Sequence, residues 1–348
     1  MREMGTVCKG AESWPLSSIF FGGGTPSLMA PEYARELINK ARQLFGFTDN
    51  IEITLEANPT SSEAAKFKAF NDAGINRFSV GMQSPEENDL AFLGREHSKD
   101  EALNAVKDAM AVTDNVSLDL IYGLPNQNLE LWAENLKVLA GLGTPHISCY
   151  QLTIEKNTKF YADMNKGRLT PSPDHSQADF YKKTNQVLTE AGFSQYEVSN
   201  YARGSAECRH NKHIWQYGSY IGIGAGAHGR TRQKDGVLLA TRNYKKPETY
   251  IQKVADAGHG RYEIEQVLPN QQVTEATLLG LRLSEGLPLS RLEELAGNAY
   301  EDYISSQGVE LMETNGFLIA GNKQRKDVLQ ATPQGMAMLE SVLGYVLK

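Results

Sequence analysis

The stretch Ser17-Ser18-Ile19-Phe20-Phe21-Gly22-Gly23-Gly24-Thr25-Pro26 decides how this chain folds. Its apolar run is too short for a helix and is closed by glycine and proline, so it predicts a buried strand opening into a loop. Three successive residues without a Cβ let the backbone approach a ligand closely, with N–H groups left to bind it. Taken alone, the triplet suits a flexible turn equally well, so its meaning depends on the strands and helices farther along the chain.

Beyond the loop, Ala34, Leu37, Ile38, Ala41, Leu44 and Phe45 recur at helical spacing, the pattern of a helix with one face on a sheet. Ile51-Glu52-Ile53-Thr54-Leu55 then alternates as a strand does and delivers Glu56, Asn58 and Pro59 at its end. A helix over 62–71 and a strand over 77–82 ending at Gln83 come after it. Next are a helix over 99–110 and a strand over 116–122 closed by Gly123-Leu124-Pro125. Trp132, Leu136, Leu139 and Ala140 mark another helix, and 147–153 reads as the next strand. One helix between successive strands implies parallel strands joined by right-handed crossovers, in a barrel or in a doubly wound sheet. Either architecture collects chemistry at the carboxyl ends of its strands.

Gly23, Gly24, Thr25, Glu56, Gln83 and Asp119 all fall at or near such ends, and Arg95 lies in the loop region after the third strand. A carboxylate inside Leu118-Asp119-Leu120-Ile121 is costly to bury alone, so Asp119 should face a polar group, either a ligand or a loop amide. Arg95 and Gln83 suit a tether within the loops as well as a ligand contact. Together the set offers donors for a carboxylate, an acceptor for an amine and a carboxylate for ribose hydroxyls, the groups of an amino-acid nucleoside.

Composition bounds the alternatives. A chain of 348 residues has room for one large or two smaller domains with a sizeable core. No apolar run approaches the length of a membrane span, and a net charge of -7 argues against a nucleic-acid surface. Cys8, Cys149 and Cys208 are the only cysteines and show no ligand spacing, which fits a reducing compartment and offers no metal site. Residues 1–14 carry neither a signal core nor a presequence pattern, and the central glycine loop lies unusually near the start.

Phe21-Gly22-Gly23-Gly24-Thr25-Pro26-Ser27, Leu55-Glu56-Ala57-Asn58-Pro59, Gly81-Met82-Gln83-Ser84, Leu93-Gly94-Arg95 and Asp119-Leu120-Ile121-Tyr122-Gly123-Leu124-Pro125 together resemble the radical S-adenosylmethionine proteins of the HemN/HemW group, its HemW branch above all. The resemblance runs from about residue 17 to the end. It implies an α/β fold, a partial (β/α)6 barrel over 1–230 without its first strand, a connecting region over 231–270 and a small α+β, winged-helix-like domain over 271–348. It also implies S-adenosylmethionine contacts at Gly23, Gly24, Thr25, Glu56, Gln83, Arg95 and Asp119. The group's Cys-x3-Cys-x2-Cys motif, which holds a 4Fe-4S cluster, has no counterpart in this sequence. The motif is therefore expected upstream of Met1, the alternative being a member without a cluster. The implied function is that of a haem chaperone delivering haem to an acceptor protein, such as a respiratory one. The alternative is an oxygen-independent coproporphyrinogen III oxidase. A cytoplasmic location is expected, or a mitochondrial one in a eukaryote, with any membrane association made through a partner.

In the second half, 174–191 reads as a helix and 195–201 as a short strand leading to a loop with Cys208-Arg209-His210-Asn211-Lys212-His213-Ile214-Trp215. The HemW branch has His-Asn-x-x-Tyr-Trp here, associated with haem. His210, Asn211 and Trp215 match, while Ile214 stands in place of the tyrosine. Imidazole is a usual axial ligand of haem iron and an indole packs well on a porphyrin, so His210 is the expected ligand, with His213 as competitor. Tyr220-Ile221-Gly222-Ile223-Gly224-Ala225-Gly226 lacks the strand-to-helix context of a dinucleotide fingerprint and reads as close backbone packing, with His228 beyond it unassigned. Farther on, 317–320 and 328–331 predict a hairpin before a last helix over 334–346, and Lys323, Arg325 and Lys326 read as its solvated tip.

Overall fold

The computed structural model describes residues 1–9, 15–322 and 325–348. The chain folds as two compact units, one formed by Met1–Ile19, Glu36–Ile51 and Cys208–Lys348, the other by Phe20–Arg35 and Glu52–Glu207. The units part at 19/20, 35/36, 51/52 and 207/208.

Seven strands form a curled half-barrel sheet. They are β1 (Leu16–Phe21), β2 (Phe47–Ala57), β3 (Arg77–Gln83), β4 (Val116–Tyr122), β5 (His146–Gln151), β6 (Ser194–Glu197) and β7 (Asn200–Ala202), in the order β1-β2-β3-β4-β5-β7-β6. β2 through β5 are parallel neighbours, and helices fill the connections as the spacing predicts. The single strand expected over 195–201 is instead two antiparallel strands, because the chain turns back at Val198 and Ser199 and β7, not β6, pairs with β5.

Register explains the chemistry of the two sheet faces. Leu55 lies opposite Phe78, Phe78 opposite Val116, Val80 opposite Leu118 and Leu118 opposite Ile147, and all are fully buried. Burial of such a side chain contributes about 1.5–3 kcal/mol, so this face fixes the register. The alternate positions are polar. Glu56 lies opposite Ser79, Ser79 opposite Ser117, Ser117 opposite His146 and Asp119 opposite Ser148. Strands of a parallel sheet buried on both faces are normally apolar on both, so this polar stripe marks a face with another purpose.

The 231–270 region is more regular than expected. β8 (His228–Arg232), β9 (Leu238–Asn243) and β10 (Arg261–Gln266) form an antiparallel sheet, and the helix Pro247–Ala257 links the last two. The C-terminal part is largely helical, with a small sheet of β11 (Leu287–Pro288), β12 (Leu318–Asn322) and β13 (Arg325–Ala331), which includes the predicted hairpin. The expected basic tip at Lys323, Arg325 and Lys326 lies outside the residues whose side chains are described. The last helix is two, Pro333–Ala337 and Leu339–Val346, and the segment 208–215, expected as a loop, contains the helix Arg209–Trp215.

Candidate functional site

Of the strand-end residues, the structure brings Gly22, Gly23, Glu56 and Asp119 near one another within the second unit. Gly22, Gly23 and Gly24 come directly after β1, and the Gly23 N–H donates to Glu56 Oε2 at 3.2 Å. A Cβ at Gly22 would sit 2.9 Å from the Phe20 ring and 3.1 Å from Glu56 Oε2, so the loop packs on Glu56 only as glycine. Gly23 and Gly24 have φ of 80° and 28° with open space around them, the geometry of backbone left accessible to a ligand. Burial, and next the charge of Asp119, raise the Glu56 pKa, while the Gly23 N–H opposes this.

Gln83 ends β3 with φ of 68°, a conformation that costs a non-glycine residue about 1–3 kcal/mol. The pairing of β3 with β4 slips between Val80 and Gln83, and the Gln83 amide folds back to where a Cβ of Gly81 would stand, 2.5 Å from its Nε2. Gly81 thus makes room for Gln83. Arg95 lies just beyond the helix Glu87–Phe92. It is exposed, yet partial desolvation lowers its guanidinium pKa, and among the described residues its side chain has no hydrogen-bond or carboxylate partner. A desolvated guanidinium without a counter-charge is prepared for an anion.

Asp119 accepts hydrogen bonds from Ser79 at 2.6 Å and from Ser117 at 2.9 Å, one on each oxygen. A carboxylate accepts about four hydrogen bonds, so capacity remains for two hydroxyls.

Several residues that shape this site are not marked by the sequence. Buried Glu63 accepts from Ser27 Oγ and from the Asn58 N–H at 3.1 Å, joining the loop after β1 to the loop after β2. Asp89 accepts from Ser84 at 2.8 Å and from Gln127 at 3.2 Å, and Gln127 accepts the Gly123 N–H at 2.7 Å. Each is a polar residue in a helix or loop, with no period or motif to separate it from solvated neighbours.

The second candidate region belongs to the other unit. In the helix Arg209–Trp215, His210 Nδ1 lies 3.1 Å from Ser18 Oγ. His213 Nε2–H donates to the Ser219 carbonyl at 2.8 Å, with its ring over Gly218, where a Cβ would come within 2.3 Å. The Arg282 guanidinium lies over the Trp215 ring at 4.4 Å, so one indole face is already covered. Lys212 pairs with Glu285 at 3.0 Å, and Gln216 donates to the same carboxylate at 2.7 Å. The geometry places Asn211 on this helix and gives it no resolved role. The glycine-rich segment has a structural purpose. Buried Glu3, in the helix Arg2–Val7, accepts the Gly224 N–H at 3.2 Å, the Gly260 N–H at 2.9 Å, the Asn243 amide at 3.2 Å and the Tyr250 hydroxyl. His228 is exposed, and burial and then the charges of Arg242 and Arg230 lower its pKa.

Residues 2–139 match the Radical SAM superfamily and residues 267–338 match the HemN C-terminal domain. The heme chaperone HemW of Haemophilus influenzae is 40% identical to the chain, across 95% of the chain and 83% of its own length. The chain belongs to the HemW family of radical S-adenosylmethionine proteins. HemW of Escherichia coli is 37% identical over 97% of the chain and 85% of its own length. The mitochondrial radical S-adenosyl methionine domain-containing protein 1 of Danio rerio is 35% identical over 99% and 78%. The coproporphyrinogen III oxidase HemN of E. coli shares the fold, with a TM-score of 0.78 at 20% identity over 99% of the chain and 80% of its own. No helix among the described residues is long and apolar enough to cross a membrane.

Membership implies S-adenosylmethionine and a 4Fe-4S cluster. The residues fit the first: the partnerless Arg95, the accessible Gly23 and Gly24, and an Asp119 with accepting capacity suit a carboxylate, a close-lying backbone contact and a diol. They do not fit the second. Among the described residues, no group of three His, Cys, Asp or Glu side chains could hold a metal, and Cys149 and Cys208 are buried apart from Cys8 in the sequence.

Proposed function

We propose that this chain binds haem through His210 and passes it to a haem-accepting protein, on a scaffold whose second unit binds S-adenosylmethionine. The haem assignment is supported by the match of His210, Asn211 and Trp215 to the motif of the HemW family, to which the chain belongs, and by the Ser18 hydroxyl beside His210. A metal-ligating imidazole has its other nitrogen held by a hydrogen bond, and Ser18 Oγ stands where it can hold Nδ1 of His210. His213 already spends Nε2 on the Ser219 carbonyl, and its ring is confined by Gly218. Because Arg282 covers one face of Trp215, any stacking of the indole on a porphyrin uses the other face.

In the S-adenosylmethionine site, Arg95 would hold the carboxylate, Glu56 the ammonium and Asp119 the ribose hydroxyls, with Gly23, Gly24, Thr25 and Gln83 shaping the backbone around them. When bound, S-adenosylmethionine would present one anionic and two cationic centres, which this mixed donor set complements. The HemW relatives at 37–40% identity support the chaperone reading, whereas HemN at 20% supports the fold alone. The acceptor is proposed to be a haem protein such as a respiratory one, met in the cytoplasm or, in a eukaryote, in the mitochondrion.

Haem transfer tests the function. The haem-loaded chain, mixed with an apo haem protein, is expected to lose its own absorption band as the acceptor's band appears, faster than free haem release allows. Transfer no faster than spontaneous release would overturn the chaperone reading. Decarboxylation of coproporphyrinogen III by the chain in anaerobic extract would favour the oxidase instead.

A further inference from the structure

His146 is fully buried in β5 and has no part in the contacts assigned above. It stands in a continuous chain of hydrogen bonds beneath Asp119. Ser117 Oγ is 2.9 Å from Asp119 Oδ1 and 2.8 Å from His146 Nδ1, and His146 Nε2 is 2.9 Å from the Tyr196 hydroxyl. Ser148 Oγ lies 3.3 Å from Ser117 Oγ. All but Asp119 are buried.

The proton inventory gives this chain one direction. Ser117 donates its single hydroxyl proton to Asp119 Oδ1. Ser117 Oγ then has only lone pairs for His146, so His146 Nδ1 must carry a proton. Full burial, with the charge of nearby Arg77 acting in the same sense, disfavours the imidazolium. A neutral ring protonated at Nδ1 has a bare Nε2, which Tyr196 O–H satisfies. Every donor and acceptor of the ring is thus used in a single arrangement. Ser79, donating to Oδ2, holds the second carboxylate oxygen.

We propose that His146 is a positioning residue for Asp119: as the neutral Nδ1–H tautomer, it orients the Ser117 hydroxyl, which fixes the carboxylate toward the diol of the nucleoside. This rests on the S-adenosylmethionine reading of the site. The chain turns strand register into orientation, because Ser117 stands opposite His146 and two residues before Asp119 on the same face. A carboxylate already held on both oxygens does not have to be ordered when the ligand arrives, which is what preorganisation contributes to affinity.

Two measurements on the full chain test this. Long-range 1H–15N correlation of the histidine ring reads the tautomer without any variant. The expected result is Nδ1 protonated and Nε2 bare at neutral pH, and a proton on Nε2, or an imidazolium, would overturn the proposal. Calorimetric titration with S-adenosylmethionine then compares wild type, Ser117→Ala, Asp119→Ala and the double variant. Ser117→Ala is expected to weaken binding about fivefold, the effect of one hydrogen bond of ordinary net strength. In the Asp119→Ala background it should do nothing further, because the two act as one unit. Equal effects of Ser117→Ala in both backgrounds, or none in either while Asp119→Ala weakens binding, would sink the positioning claim and leave the site reading intact. If Asp119→Ala binds as tightly as wild type, the site reading fails at that residue, and the tautomer alone decides whether His146 orients the chain.

Discussion

The proposed S-adenosylmethionine cradle and the haem-motif helix are held in different ways. In the cradle, the side chains that shape the site are fixed by largely buried partners: Glu63, in the helix Ser61–Ala64, with Ser27 and Asn58 of the adjoining loops, and Ser117 with Asp119 and His146 along the sheet. Around the helix Arg209–Trp215, the ties are partly exposed: Lys212 and Gln216 on Glu285, Arg282 over Trp215. Buried polar networks are costly to break and specify one geometry, whereas exposed pairs contribute little and can be exchanged. Such a cradle presents one fixed constellation, and the exposed ties of the helix suit the proposed acceptance of a large ligand.

The largest expected effect is at Glu63. Glu63→Ala leaves the buried Ser27 hydroxyl and the Asn58 N–H without their acceptor, and denaturant unfolding should show a loss of about 3 kcal/mol. Next comes Gly81→Ala, whose Cβ would displace the Gln83 amide. Calorimetry should show S-adenosylmethionine affinity falling about tenfold, near 1.4 kcal/mol. Glu285→Ala should cost at most about 1 kcal/mol in the same unfolding assay, because its carboxylate and the Lys212 ammonium are both partly solvated. If Glu285→Ala cost as much as Glu63→Ala, the distinction between the two regions would collapse.

The smallest effect is one of pH. The folded-state pKa of Glu56 is raised, so the folded state binds its proton more tightly than the unfolded chain does. Stability is then favoured while the group is protonated and falls as pH rises through the unfolded value and up to the folded one. Glu56→Gln should therefore be slightly more stable than wild type at neutral pH and equal to it in acid below about 4.5, the ordinary value, while binding S-adenosylmethionine less well. Thermal unfolding across that range checks the sign, and a variant less stable than wild type at neutral pH would contradict it.

The parts of the fold that obey a period were legible in the sequence. Phe78, Val80, Leu118 and Leu120 announce strands, and order alone puts Glu56 and Gln83 at strand carboxyl ends. What stayed hidden depends on three-dimensional partners. His146 opens an apolar strand and only the register shows that it faces Ser117. The turn at Val198 and Ser199 hid in a continuous β-rich stretch and split one expected strand into two. Cys208 to Trp215 read as a loop because His, Asn and Ile are weak helix formers, and tertiary ties override that preference. Nothing in the sequence marks Glu3, yet its buried carboxylate gathers four donors.

The haem assignment meets its most direct test in parallel haem titrations of His210→Ala and His213→Ala, monitored by the Soret absorbance. His210→Ala is expected to lose the histidine-ligated spectrum and bind haem weakly, while His213→Ala keeps the wild-type spectrum. Wild-type binding by His210→Ala, or loss of ligation only in His213→Ala, would contradict the account.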